Sequence, residues 1–256
     1  MKKIYLFLGI LLLAKESFAL GFRQTMDVHI GIFDAATVAL DYQEKDGRFD
    51  INTVVKTANL FDTLYPFTAH YMSKGKMSDV KMVPEIYETK TKSRNHTRNK
   101  KIFYNDKGLA YKRISGKDNK IKEFPIVGVS KTASAADLQS VFAELIHQFA
   151  QKGQCNMVRE IHDGKKHYNM ISKSKGKQKR FFDYYNKEDT AELCVVYIEN
   201  LADNNDNILW DISAERPIKL WVKHDEKTKM PIILEIGIDS TPLGALKTVP
   251  TSIQTN

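Results

Sequence analysis

Residues 137–153 read Asp-Leu-Gln-Ser-Val-Phe-Ala-Glu-Leu-Ile-His-Gln-Phe-Ala-Gln-Lys-Gly, and this stretch decides the fold. Leu138, Val141, Phe142, Leu145, Ile146 and Phe149 recur at three- and four-residue spacings, which is one face of an α-helix. Asp137, with Ser134 before it, offers an N-terminal cap, and Gly153 offers a stop. The other face carries Gln139, Glu144, Gln148 and Lys152. Almost everything on either side reads as β. A single amphipathic helix in such a chain must lay its apolar stripe on a sheet.

Upstream, Met26, Val28, Ile30 and Ile32 alternate within a strand at 22–32, and Asp34-Ala35 is expected to turn the chain. Thr37 to Gln43 returns, Asp46-Gly47 is a hairpin signal, and a strand follows over 48–57. Asn59 to Pro66 (NLFDTLYP) reads as a short helical turn or loop. A strand over 67–73 is expected to end at a Lys74-Gly75-Lys76 turn, with further strands near 79–89, 93–105 and 109–115. Downstream, segments 156–162 and 165–172 flank an Asp163-Gly164 turn, and Lys173 to Lys179 reads as a basic turn. Strands are expected over 180–185, 191–198, 218–224 and 231–238, with a polar loop at 200–207 and a frayed tail at 250–256. The expectation is a mainly β fold: a curved antiparallel sheet or open barrel wrapped around one central helix, forming a single domain over 20–249.

The N-terminus carries an address. Lys2 and Lys3 precede an apolar run of 11 residues, Ile4 to Ala14, and Ser17-Phe18-Ala19 supplies small residues for a peptidase. This is the layout of a secretory signal peptide, residues 1–19, cleaved after Ala19. The run is far short of the roughly 20 residues that span a bilayer. An uncleaved anchor is the alternative. The expected location is the periplasm.

The chain carries a net +8, of which the first nineteen residues hold +2. On an exported protein, a basic surface points to anionic lipid, lipopolysaccharide or acidic polymer rather than nucleic acid; a merely solvated surface is the plainer account. Cys155 and Cys194 are the only cysteines, which suggests one disulfide in an oxidising compartment, with two buried thiols as the alternative.

Between Ile86 and Tyr104 the even positions include Lys90, Lys92, Arg94, His96, Arg98 and Lys100. If the segment is one extended strand, these cations share a face and form a contact for anionic surfaces. The alternative is a solvated edge whose lysines deter pairing. Lys173 to Arg180 is a second basic run, leading into Phe181 and Phe182.

No catalytic signature emerges. His-Glu-x-x-His, Gly-x-Ser-x-Gly, Cys-x-x-Cys and phosphate-cradling glycine loops are absent. His162 and His167 flank a turn with only Glu160 near them, too few for a metal set. Ser73-Lys74-Gly75-Lys76 and Ser172-Lys173-Ser174-Lys175 match Ser-x-x-Lys by letter, in stretches that read as turns. No catalytic residue, metal or cofactor is expected.

Several short motifs occur in a recognisable order. They are Gly31 in an early strand, Leu64-Tyr65-Pro66, Val83-Pro84-Glu85-Ile86-Tyr87, the central helix, Asp163-Gly164, Pro217-Ile218-Lys219-Leu220-Trp221 and Met230-Pro231-Ile232. In these the chain resembles an exported bacterial family described only as domain of unknown function 3108. The helix lacks the Asp-Pro entry of that pattern. The resemblance implies no reaction and supplies no catalytic residues. More loosely, strands wrapping one helix look like periplasmic lipoprotein-carrier and β-spiral folds.

The function expected is non-enzymatic binding of an apolar or amphiphilic envelope ligand, lipid or lipoprotein. Leu60, Phe61, Leu64, Tyr65 and Phe67 are the candidate lining, with plain core as their alternative role. An envelope assembly factor acting through protein contacts is the rival; a hydrolase with an unrecognised site is a third reading.

Overall fold

The computed structural model describes residues 20–78, 81–118, 120–126, 135–162, 167–201 and 212–255. The signal segment, Ser134, the Asp163-Gly164 turn and most of the 200–207 loop lie outside the described residues.

The first half is a meander of β1 (Leu20–Ile30), β2 (Phe33–Lys45), β3 (Arg48–Thr57), β4 (Phe67–Ser78), β5 (Lys81–Ser93), β6 (Thr97–Tyr104), β7 (Ala110–Lys117) and β8 (Lys120–Pro125). A short helix, α1 (Asn59–Leu64), joins β3 to β4, and the main helix, α2 (Leu138–Lys152), follows β8. The second half is β9 (Met157–His162), β10 (His167–Phe182), β11 (Lys187–Asn200), β12 (Ile218–His224), β13 (Pro231–Thr241) and β14 (Gly244–Thr255). One antiparallel sheet holds all of these strands in the order β8-β7-β6-β5-β4-β3-β2-β1-β14-β13-β12-β11-β10-β9.

That order explains the helix. From β1 in mid-sheet the strands walk to one edge, the chain crosses through α2 to the other edge, and the strands walk back until β14 pairs with β1. The edges β8 and β9 do not pair, so the sheet is unclosed. Helix α2 nevertheless packs on β3, β4 and β5 from one half and on β9 and β13 from the other. The sheet must therefore curl around the helix. Val141, Leu145 and Phe149 join the core of β9–β12, while Ala143 and Ile146 join Phe22, Tyr42 and Ile51 on β1–β3.

The caps of α2 agree with its sequence: Asp137 accepts from the Ser140 N–H at 2.9 Å, and Gly153 ends it in the left-handed conformation. Only the C-terminal part of the polar face meets water: Lys152 is exposed and Gln148 half-buried. Gln139, Glu144 and His147 are buried, because strands surround the helix on nearly all sides. Thr53 donates to Gln139 at 2.9 Å, the Met82 N–H donates to Glu144 at 3.0 Å, and His147 meets Glu44 at 2.8 Å. The polar residues fasten the helix to the sheet.

Other differences have local causes. The first turn falls at Gly31-Ile32 rather than Asp34-Ala35; Gly31 supplies the positive φ of 58°. The expected Lys74–Lys76 turn is the interior of β4, where the register shifts; a Cβ on Gly75 would lie 2.1 Å from the Val83 oxygen. Here glycine serves close approach rather than a turn. The basic run Lys173–Lys179 is likewise strand, bulged at 174–177 but paired with β11. The tail expected to fray is the end of β14, with Thr255 opposite Phe22. Its polarity reflects an outer strand face, not disorder.

Cys155 and Cys194 form a disulfide with Cα atoms 5.9 Å apart. It ties the segment after α2 to β11, inside the C-terminal core.

Candidate functional site

Beside the first turns of α2 the core is incompletely filled. The gap is an apolar cleft of about 230 Å³. Met26, Val38 and Leu40 form one wall, Leu138, Phe142 and Leu145 of α2 the second, and Met170, Val196, Leu220 and Ile236 the third. Register dictates this: the alternate residues of β1 and β2 that face α2 are Phe22, Met26, Val38, Leu40 and Tyr42. Its floor is buried at Met26, Leu145 and Leu220, while Val38, Leu138, Phe142, Ile218 and Ile236 are half-buried. The cleft therefore opens toward the end of the sheet that carries the β1–β2 and β13–β14 turns.

Among the described residues, the polar side chains in its wall are Thr53 and Gln139, and they bond to each other. The rest of the described wall is apolar, a surface suited to recognising shape and apolar groups. It exceeds the roughly 150 Å³ engineered cavity that admits benzene, yet falls below the 300–1,000 Å³ common for small-molecule sites. One acyl segment or one ring fits better than a whole lipid.

The buried polar groups around α2 hold structure. Ser73 and Ser140 both donate to Asp137, at 3.0 and 2.7 Å. Burial pushes the Asp137 carboxyl above its ordinary range, against the hydrogen bonds from Ser140 and Ser73. Burial also raises Glu144, opposed by Arg159, whose Nε lies 3.0 Å away. No histidine joins the two serines. Ser73 and Lys76 stand three apart on a strand, so they point to opposite faces; the Ser-x-x-Lys letters have no geometry behind them.

A wider depression of about 590 Å³ sits at the C-terminal end of α2. Its histidine, His224, donates to the Phe149 carbonyl at 3.1 Å and stacks on the Phe149 ring at 4.9 Å.

The expected lining residues lie elsewhere. Leu60, Leu64 and Tyr65 on and after α1 are exposed, Phe61 packs on Phe33, and Phe67 opens β4 half-buried. None lines the cleft. A six-residue helix on the outside of a rim cannot reach a cavity formed by the inner face. The expected basic row is also divided. A turn at 94–96 folds the segment into β5 and β6, with Lys90 opposite Asn99 and Thr91 opposite Arg98. Lys90 and Lys92 thus face one way, Arg98 and Lys100 the other, and Arg94 donates from the turn to the Thr63 carbonyl at 2.6 Å. His162 and His167 do approach, with ring centroids 6.2 Å apart. Among the described residues, no group of three or more His, Cys, Asp or Glu could hold a metal.

The cleft was missed although its signal was present. Val38, Leu40 and Tyr42 alternate, and the stripe Leu138–Phe142–Leu145 is one of two apolar flanks on a helix enclosed by sheet.

A family model described as "Protein of unknown function (DUF3108)" matches residues 25–246. The chain belongs to this family. No curated protein matches it. Among solved structures, the chain is similar to a beta-barrel-like protein of domain of unknown function DUF1849 from Brucella abortus. The TM-score is 0.52 at 9% identity, covering 93% of this chain and 98% of that one. At that identity the likeness concerns the fold alone, and it agrees with the curled, unclosed sheet.

Proposed function

We propose that this protein is an exported, non-enzymatic binder of an apolar or amphiphilic ligand, held in the cleft beside α2. The observation that carries the reading is the cleft's wall: it is apolar, and Leu138 and Phe142 stay half-buried in the middle of a core. Apolar surface of that kind gains about 25 cal/mol per Å² when a ligand covers it. The Cys155–Cys194 bridge supports export, since such bridges persist in oxidising compartments.

The test is titration with cis-parinaric acid, a fluorescent fatty acid. Saturable one-to-one binding is expected, weakened at least tenfold in Val38→Trp, which fills the cleft from a strand position that tolerates aromatics. Absence of saturable binding, or an indifferent Val38→Trp protein of unchanged melting temperature, contradicts the reading.

The rival reading, an envelope assembly factor, draws on one feature. Every residue of β8 is exposed, and among the described residues no strand pairs with its outer side, an edge that a partner strand could extend. Pull-down of a stable protein partner that is lost when β8 carries a proline would favour it.

A further inference from the structure

The end of the sheet onto which the cleft opens has two unlike halves. On one side four apolar side chains face water: Ile32 at 92% exposure, Leu64 at 52%, Tyr65 at 71% and Leu243 at 60%. They come from three separate segments that the fold brings together. The Gly31 N–H donates to the Ala245 carbonyl at 2.9 Å, joining the β1–β2 and β13–β14 turns. Phe33 meets Phe61 at 6.3 Å, joining the first of these to α1. Scattered exposed apolar residues are ordinary, but a cluster contributed by adjoining turns calls for a cause.

The other half is basic. Arg94 bonds to the Thr63 carbonyl of α1, so the β5–β6 turn adjoins the apolar side chains. His96 reaches Asp118 at 2.8 Å, which adds the β7–β8 turn. Across these strands Arg98 stands opposite Lys117, and Lys117 opposite Lys120, so the three cations share one face in one row. Neighbouring strands lie about 4.8 Å apart. All three are exposed, and none forms an ion pair within 4 Å among the described residues. Lys117, Lys120 and Lys122 rim a shallow depression of about 430 Å³ floored by Phe124. Among the described residues, the acids at this end have partners of their own: Asp34 meets His29 and Asn59, Asp62 meets Thr57, Asp118 meets His96 and the Thr97 N–H, and Asp239 pairs with Lys219.

We infer that this end of the molecule docks on the surface of an anionic phospholipid bilayer. Cations in a row match many headgroup phosphates at once, and each contributes about 1 kcal/mol near such a surface. The apolar tips select a bilayer over a soluble polyanion, because only a bilayer gives Ile32, Leu64 and Leu243 somewhere to insert. The mouth of the cleft lies at the same end, so docking would present it to the source of an acyl ligand. That last consequence rests on the proposed function; the docking does not.

The experiment is co-sedimentation with vesicles of phosphatidylcholine, with and without roughly 30% phosphatidylglycerol. All proteins are prepared with the same N-terminus, verified by mass spectrometry. The anionic vesicles should bind at least tenfold more tightly, and added salt should weaken binding. Arg98→Gln/Lys117→Gln/Lys120→Gln should lose on the order of 100-fold. Ile32→Ser/Leu64→Ser/Leu243→Ser should lose at least roughly tenfold. Val38→Trp should dock as the unaltered protein does, whatever it does to parinaric acid. No preference for anionic vesicles, or indifference to both triple variants, overturns the inference. So does equal binding to a soluble acidic polysaccharide that ignores the apolar variant, or loss of docking in Val38→Trp.

Discussion

Asp137 is fully buried, yet it caps α2 and gathers Ser73 and Ser140 around one carboxylate. Its raised pKa sets the sign of a pH effect. With the folded pKa above the unfolded one, the folded chain keeps a proton between the two values that the unfolded chain releases. Lowering pH through that window raises stability, and the gain levels off below the unfolded value. Asp137→Asn keeps a cap but cannot titrate. In urea denaturation from about pH 8 to about pH 4, the unaltered protein should gain on the variant as pH falls. A constant difference would show that Asp137 does not titrate in this way. Gly75 makes a steric claim at the same scale. Gly75→Ala would press a methyl against the Val83 carbonyl and the Phe49 ring. The expected loss is about 1–3 kcal/mol by chemical denaturation. The sequence marked Gly75 as special, but it could not distinguish a turn from a close approach, since both need a missing side chain.

Among the elements, α2 and the Asp46-Gly47 hairpin were the most readable. A helix carries its own period and caps. The hairpin carries two residues suited to positive φ, 52° and 71°. Strands whose outer face is polar were harder. Lys173–Lys179 and the end of β14 look like turn and tail, because pairing with a neighbour, not their own apolar content, makes them strands. β8 went unread for the same reason. The surroundings of the polar side of α2 were not legible, because periodicity reports which residues share a face, not what lies opposite that face. The disulfide belongs to this scale too. Closing a loop of 39 residues is worth about 4 kcal/mol in the chain-entropy model. Cys155→Ser/Cys194→Ser should therefore lower unfolding stability by about 2–4 kcal/mol in urea, with binding of parinaric acid retained by the folded fraction.

At the scale of the whole molecule, a sheet that starts and ends at its centre needs something to occupy the space it curls around. α2 fills most of it and leaves the cleft where its first turns diverge from β1, β2 and β12. The alternation on β2 and the stripe on α2 mark apolar faces but not the gap between them, because its walls come from seven strands and a helix that are distant in sequence. The sequence points to Leu60, Phe61, Leu64, Tyr65 and Phe67 as lining because they are apolar and Pro66 interrupts their segment, where a gap in the sheet could form. They lie on the rim, outside the cleft, whose walls include Val38, Phe142 and Ile236. The most direct measurement is native mass spectrometry of the full-length protein, expressed in a bacterium and purified without detergent. The account predicts a fraction carrying one added mass of lipid or fatty-acid size, absent from Val38→Trp prepared alongside. Bare protein in both preparations, or an added mass that Val38→Trp retains, would contradict it.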